Sequence, residues 1–81
     1  MSKFPYIANR NAPKDAFIEK VQRMLNYLRN RFHCGWPYLE DDGRYGPITA
    51  ESVKGFQLWY TCKGNGILDT KTYEQIEIPH S

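Results

Sequence analysis

The fold is decided by residues 42–57, which read DGRYGPITAESVKGFQ. Asp42-Gly43 is a turn dipeptide, because glycine tolerates positive φ and the aspartate side chain can bond to the local backbone. Gly46 stands where an N-cap is expected, and Pro47 stands at the first helical position, where its missing N–H needs no partner. The segment therefore predicts a turn followed by a helix at 47–61. The inner face of that helix is predicted to contain Val53, Phe56 and Tyr60.

A weaker copy of the same pattern lies at residues 65–72, which read NGILDTKT. Asn-Gly replaces Asp-Gly, and Asp69 takes the capping position. Two copies are too few for a solenoid, so we expect one local device that docks two helices, the second at 70–77. Three pairs of positions correspond in the two copies: Gly43 with Gly66, Tyr45 with Leu68, and Thr49 with Thr72.

A first helix is predicted at 15–32, because Asp15 is a good cap just after Pro13. Apolar residues recur in it at helical spacing and predict an inner face of Phe17, Val21, Met24, Leu25, Leu28 and Phe32. In the short third helix, Tyr73 and Ile76 are expected inside, and Pro79 is expected to end it.

These elements predict an all-α fold, a compact three-helix bundle with two Asp/Asn-Gly turn elements. We expect an extended N-terminal arm at 1–14 and the helical domain at 15–81. The arm's apolar residues either dock it on the body or mark a junction to a partner: Phe4, Tyr6 and Ile7.

The chain resembles a known family, the peptidoglycan-binding-like domains appended to many cell-wall hydrolases. That family follows V-x-x-L-Q-x-x-L, then D-G-x-x-G-x-x-T-x-x-A-V-x-x-F-Q, then a second D-G-x-x-G-x-x-T-W. Here residues 18–25 read IEKVQRML, and residues 42–57 and 65–73 supply the other two elements. The two turn elements depart from the pattern at four positions: Ser52 stands for alanine, Asn65 for aspartate, Asp69 for glycine and Tyr73 for tryptophan.

The resemblance implies a non-catalytic module that binds a glycan strand and its peptide stems. Both family glutamines are present, Gln22 and Gln57, and a long amide can satisfy the backbone groups of buried turns. Contact with a ligand is the alternative for each. The positions given a structural role are Gln22, Gly43, Gly46, Thr49, Phe56, Gly66, Asp69 and Thr72.

Candidate ligand contacts follow from the chemistry of sugars, whose rings stack on aromatic faces. Trp59 lies at the rim of the second helix's inner face, where it serves either as a platform or as a cover for the core edge. Trp36 and Tyr38 either bind from the long loop or anchor it. Arg44 either pairs with a stem carboxylate or is solvated. The full set of candidate ligand contacts is Trp36, Tyr38, Asp42, Arg44, Tyr45, Gln57 and Trp59.

Composition favours a single globular domain without catalytic groups. The 81 residues are 41% hydrophobic and 15% aromatic, a composition that argues against disorder, and they include no apolar run long enough to cross a membrane. No arrangement of Ser, Cys and acid residues accompanies His33 or His80, and the cysteine and histidine spacing fits no zinc finger. We therefore expect no enzyme activity, no metal and no cofactor.

Cys34 and Cys62 follow the first and second helices. If those helices run antiparallel, the two thiols lie too far apart to bridge, so buried structural cysteines are expected and a disulfide is the alternative. The first residues show no signal peptide, so we expect either another route of export or a mature fragment.

Three functions remain open at this point. The first is a peptidoglycan-binding module that targets a linked or partner cell-wall enzyme, placing it at the cell wall or in the periplasm. The second is a protein-interaction module on the same scaffold, for example in secretion or phage assembly. The third is a nucleic-acid binder, which the net charge of +2 and the single lysine in each of the second and third helices disfavour.

Overall fold

The computed structural model describes residues 14–78. Helix α1 spans Ala16–Phe32, α2 spans Pro47–Thr61 and α3 spans Thr70–Glu77. Within the described residues the regular structure is helical, which confirms the all-α prediction and the three predicted ranges. Nearly all of the expected arm, together with Pro79, lies outside residues 14–78.

Two of the three helices begin with an aspartate cap, and α2 begins differently. The Asp15 side chain accepts a hydrogen bond from the Phe17 backbone N–H at 2.7 Å, and the Asp69 side chain does the same for Thr72 at 2.8 Å. Helix α2 has Gly46 as its N-cap, makes no side-chain cap bond and carries proline in its first turn. Its start therefore rests on the fixed φ of proline and on the turn that precedes it.

Helix α1 packs against both α2 and α3. Gln22 meets Thr49 near the start of α2, while the rings of Phe32 and Trp59 lie 5.4 Å apart near the ends of both helices. Because early residues meet early residues, α1 and α2 point the same general way. The antiparallel arrangement considered from the sequence is therefore wrong.

The core joins the inner faces of all three helices to side chains of the two connectors. Ile18 is fully buried although the helical-spacing prediction left it out, and Leu39, Tyr45 and Leu68 bring the connectors into the core. Tyr60 was expected inside but is 41% exposed, because it lies at the core edge, where its ring stacks on Phe56 at 5.6 Å. Six residues of the predicted inner faces are fully buried: Val21, Leu25, Val53, Phe56, Tyr73 and Ile76.

Both cysteines are free thiols. Cys34 is partly buried, and this burial raises the pKa of its thiol. The expected burial of Cys62 is wrong: it is exposed as the C-cap of α2, with a left-handed φ of 65°. A side chain at a helix end in this conformation projects away from the packed face.

Candidate functional site

Two turns that follow helices are each closed by one glutamine. Gln22 accepts a hydrogen bond from the Gly43 N–H at 2.9 Å, and its amide group donates to the Arg44 carbonyl and to the Thr49 hydroxyl. The amide is thus surrounded by the turn that leads into α2. This turn therefore fixes the positions from which the Asp42 and Arg44 side chains project into solvent.

Gln57 makes the equivalent bonds in the second copy. It accepts from the N–H groups of Asn65 and Gly66, both at 2.9 Å, and donates to the Ile67 carbonyl and the Thr72 hydroxyl. The side chain is almost completely buried. Its amide is occupied by the turn, so Gln57 offers a ligand no accessible polar group.

A first groove, here called the indole groove, lies between loop residues 34–37 and one side of α2. Its volume is about 440 Å³. Trp36 and Trp59 form aromatic walls, with ring centroids 6.0 Å apart and planes at 72°. Trp59 is 42% exposed, which agrees with its predicted position at the rim.

Trp36 both borders the indole groove and fixes the loop to the core. Its ring is buried, and its Nε1 donates to the Leu25 carbonyl at 3.1 Å. The approach to α2 is close because residue 55 is glycine: an added Cβ there would lie 2.7 Å from the Trp36 Cβ. Trp36 therefore holds the loop against α1 and α2, and only part of its indole borders the groove.

A second groove, here called the turn groove, continues along the same loop to the start of α2 and has a volume of about 400 Å³. Tyr38 is 64% exposed beside it, and Arg44 is also exposed. Asp42 accepts hydrogen bonds from the Arg44 N–H at 2.9 Å and from Gln22 at 3.2 Å. These two bonds hold the pKa of the Asp42 carboxyl below its usual value.

Tyr45 was predicted to contact the ligand, but its side chain has almost no solvent-accessible surface. Its side chain is 1% exposed, and its hydroxyl donates to the Gly66 carbonyl at 2.6 Å. Burial raises the pKa of the phenol. Tyr45 thus joins the two turn elements inside the core and, like Gln57, is corrected from a surface contact to an internal one.

Glu51, Lys54 and Gly55 of α2 are among the residues of the indole groove that were missed from the sequence. Glu51 and Gly55 lie eight and four residues before Trp59, and Lys54 lies three residues after Glu51, so the signal was present once Trp59 had been placed at the rim. The 14–78 region holds no group of His, Cys, Asp or Glu side chains suited to a metal ion. No helix of that region is both long and apolar enough to cross a bilayer.

Residues 14–76 match the family described as "Putative peptidoglycan binding domain". The chain belongs to this family. No curated protein and no solved structure matches it significantly. The match of this peptidoglycan-binding domain covers both glutamine-closed turns and both grooves, and it confirms the family inferred from the sequence patterns.

Proposed function

We propose that this domain binds peptidoglycan without catalysis, through the face on which the indole groove and the turn groove meet. The observation that carries the proposal is that three exposed candidate residues border this face: Trp59, Tyr38 and Arg44. Aromatic faces suit sugar rings, and a guanidinium suits the carboxylates of peptide stems.

The face is built on rigid elements. The Ser52 hydroxyl of α2 donates to the Pro37 carbonyl at 2.8 Å, at the junction between the two grooves. The Asn26 side chain of α1 donates a hydrogen bond to the Leu39 carbonyl and accepts one from the Leu39 backbone N–H, each at 2.7 Å. A preorganised loop loses little conformational entropy when a ligand binds, which favours affinity.

Such a domain is either linked in one chain to a cell-wall enzyme or bound to it as a partner. In both cases it raises the local concentration of that enzyme on its substrate. This targeting role follows from the binding role and requires no chemistry from the domain itself. The expected location is the cell wall or periplasm.

A second candidate function is binding of a protein partner, and one surface favours it. A groove of about 400 Å³ between α1 and α3 is bordered by the exposed apolar side chains of Tyr27 and Ile78. It shares no lining residue with the indole groove or the turn groove. Apolar grooves with exposed aromatic residues are typical of protein interfaces.

Co-sedimentation with purified sacculi separates these functions. We expect saturable binding of the wild-type chain that weakens in Trp59→Ala and Arg44→Ala and persists in Tyr27→Ala. Circular dichroism of each variant checks that the helices are retained. A folded wild-type chain that stays in the supernatant contradicts peptidoglycan binding and favours the protein partner.

A further inference from the structure

The two grooves of the proposed binding face differ in charge. The rim of the indole groove carries one carboxylate, Glu51, and one ammonium group, Lys54, whose charges cancel. Neither side chain has a hydrogen-bond or ion-pair partner among residues 14–78. The turn groove carries two carboxylates, of Glu40 and Asp42, beside the Arg44 guanidinium.

Peptidoglycan offers two chemically different parts to such a face. Its glycan strand consists of N-acetylated amino sugars, rings with many hydroxyl and amide groups, whereas its stems are short peptides with charged ends. A groove whose rim charges cancel gives no net attraction to a charged peptide end. It does supply both a hydrogen-bond acceptor and donors to neutral hydroxyl and amide groups.

The walls of the indole groove fit the apolar side of a sugar ring. The only polar atom of the Trp36 indole is turned inward to Leu25, so its groove-facing surface is apolar. Trp59 adds a second, half-exposed ring that is nearly perpendicular to the first. An aromatic surface next to polar groups matches a ring with C–H groups on its faces and hydroxyls at its edge.

Open space lies beside one glycine of the groove, Gly35, where an added Cβ would meet no atom within 4 Å. Gly55 has a different role, because an added Cβ there would lie 2.7 Å from the Trp36 Cβ and would disturb the packing of the indole. The space beside Gly35 is therefore available to a substituent of the ring, such as an N-acetyl group.

We propose that the indole groove binds an N-acetylated amino sugar of the glycan strand, with Trp59 as the stacking platform and Glu51 and Lys54 as hydrogen-bonding residues. This inference rests on the proposed function and names the part of the polymer that the groove recognises. The peptide stem is then not required for binding at this groove.

The test uses the chain's own fluorescence, because both of its tryptophans border the groove. The wild-type chain is titrated with oligomers of N-acetylglucosamine and, separately, with a free stem peptide. We expect a saturable change of tryptophan emission with the sugar oligomers and none with the peptide. Emission that responds to the peptide alone, or to neither ligand, overturns the proposal.

Variants then locate the contact by calorimetry. Trp59→Ala is expected to weaken sugar binding about tenfold, the loss expected when roughly 60 Å² of aromatic surface no longer covers the ligand. Glu51→Ala and Lys54→Ala keep all the aromatic packing and are also expected to weaken binding, while Tyr27→Ala is the matched control. Sugar affinity that is unchanged in all three groove variants contradicts the site.

Sacculi stripped of their stems by an amidase separate this proposal from the broader one. We expect the chain to bind stripped and intact sacculi alike. Binding to intact but not stripped sacculi overturns the sugar assignment while peptidoglycan binding stands. Binding to neither material refutes both.

Discussion

Gln22 of α1 and Gln57 of α2 make equivalent bonds, because each inserts its amide into the turn that leads to the next helix. Each carbonyl oxygen accepts from the N–H of a left-handed glycine at 2.9 Å, and each amide nitrogen donates to a threonine in the next helix. The two glycines have φ values of 75° and 74°. One device is therefore used twice, and it turns two irregular connectors into ordered parts of the core.

Gln57→Ala should lower the free energy of unfolding by about 2–4 kcal/mol, because it leaves the N–H groups of Asn65 and Gly66 without their partner. Urea denaturation followed by circular dichroism measures the change. Asn30→Ala, on the exposed side of α1, is the control and should stay within about 0.5 kcal/mol of the wild type. A Gln57→Ala protein as stable as the control contradicts the role given to the amide.

Gly43→Ala should destabilise the protein by about 1–2 kcal/mol or more. Its φ of 75° lies in the left-handed region, and an added Cβ would lie 2.9 Å from the Asp15 carbonyl oxygen. Gly35→Ala is the matched control, because nothing lies within 4 Å of its added Cβ. Thermal unfolding of the two variants side by side should show a clearly lower Tm for Gly43→Ala only.

Cys62→Gly should raise the free energy of unfolding by about 0.5–1 kcal/mol. Cys62 ends α2 with a φ of 65°, and its exposed side chain makes little packing that the glycine would lose. Its backbone N–H still donates to the Leu58 carbonyl in the variant. Denaturation under reducing conditions measures the gain, and a loss of stability would show that the thiol packs more than its exposure indicates.

Acid should loosen the first turn through Asp42. Hydrogen bonds from the Arg44 N–H and Gln22 lower the carboxyl pKa below its ordinary value of 3.8. A carboxyl with a lowered folded pKa stabilises the protein above the unfolded pKa, and this stability is lost as the pH falls through the folded value. The Tm should therefore drop below about pH 4. Asp42→Asn keeps the acceptor oxygen without titrating, so its Tm should fall less over the same range.

Most of the fold could be predicted from the sequence, because the caps and turns that define the helix ends are local features. The Asp15 and Asp69 caps, Pro47 at a helix start and the two turn glycines each act within a few residues, so the predicted helix ranges agree with the structure. The relative direction of α1 and α2 was not readable. It depends on the long loop, whose path is fixed by distant contacts such as Trp36 with Leu25 and Ser52 with Pro37.

Only part of the candidate site could be predicted from the sequence. Trp59 could be placed at a helix rim by spacing, and it is half-exposed. Tyr45 and Trp36 could not be placed, because an aromatic residue in a connector has no periodicity to show whether it faces the core. Both are buried with their polar atoms bonded to backbone carbonyls. The partnership of Gly55 with Trp36 depends on tertiary packing and has no sequence signal.

The central claim is that the wall polymer binds the face shared by the indole and turn grooves. The most direct measurement is the change in backbone amide NMR shifts when soluble fragments of digested peptidoglycan, carrying both sugars and stems, are added to the labelled chain. The account predicts saturable shifts at Trp36, Tyr38, Arg44, Lys54 and Trp59, with little change at Tyr27 and Ile78. Shifts that cluster instead in the groove between α1 and α3 would contradict it.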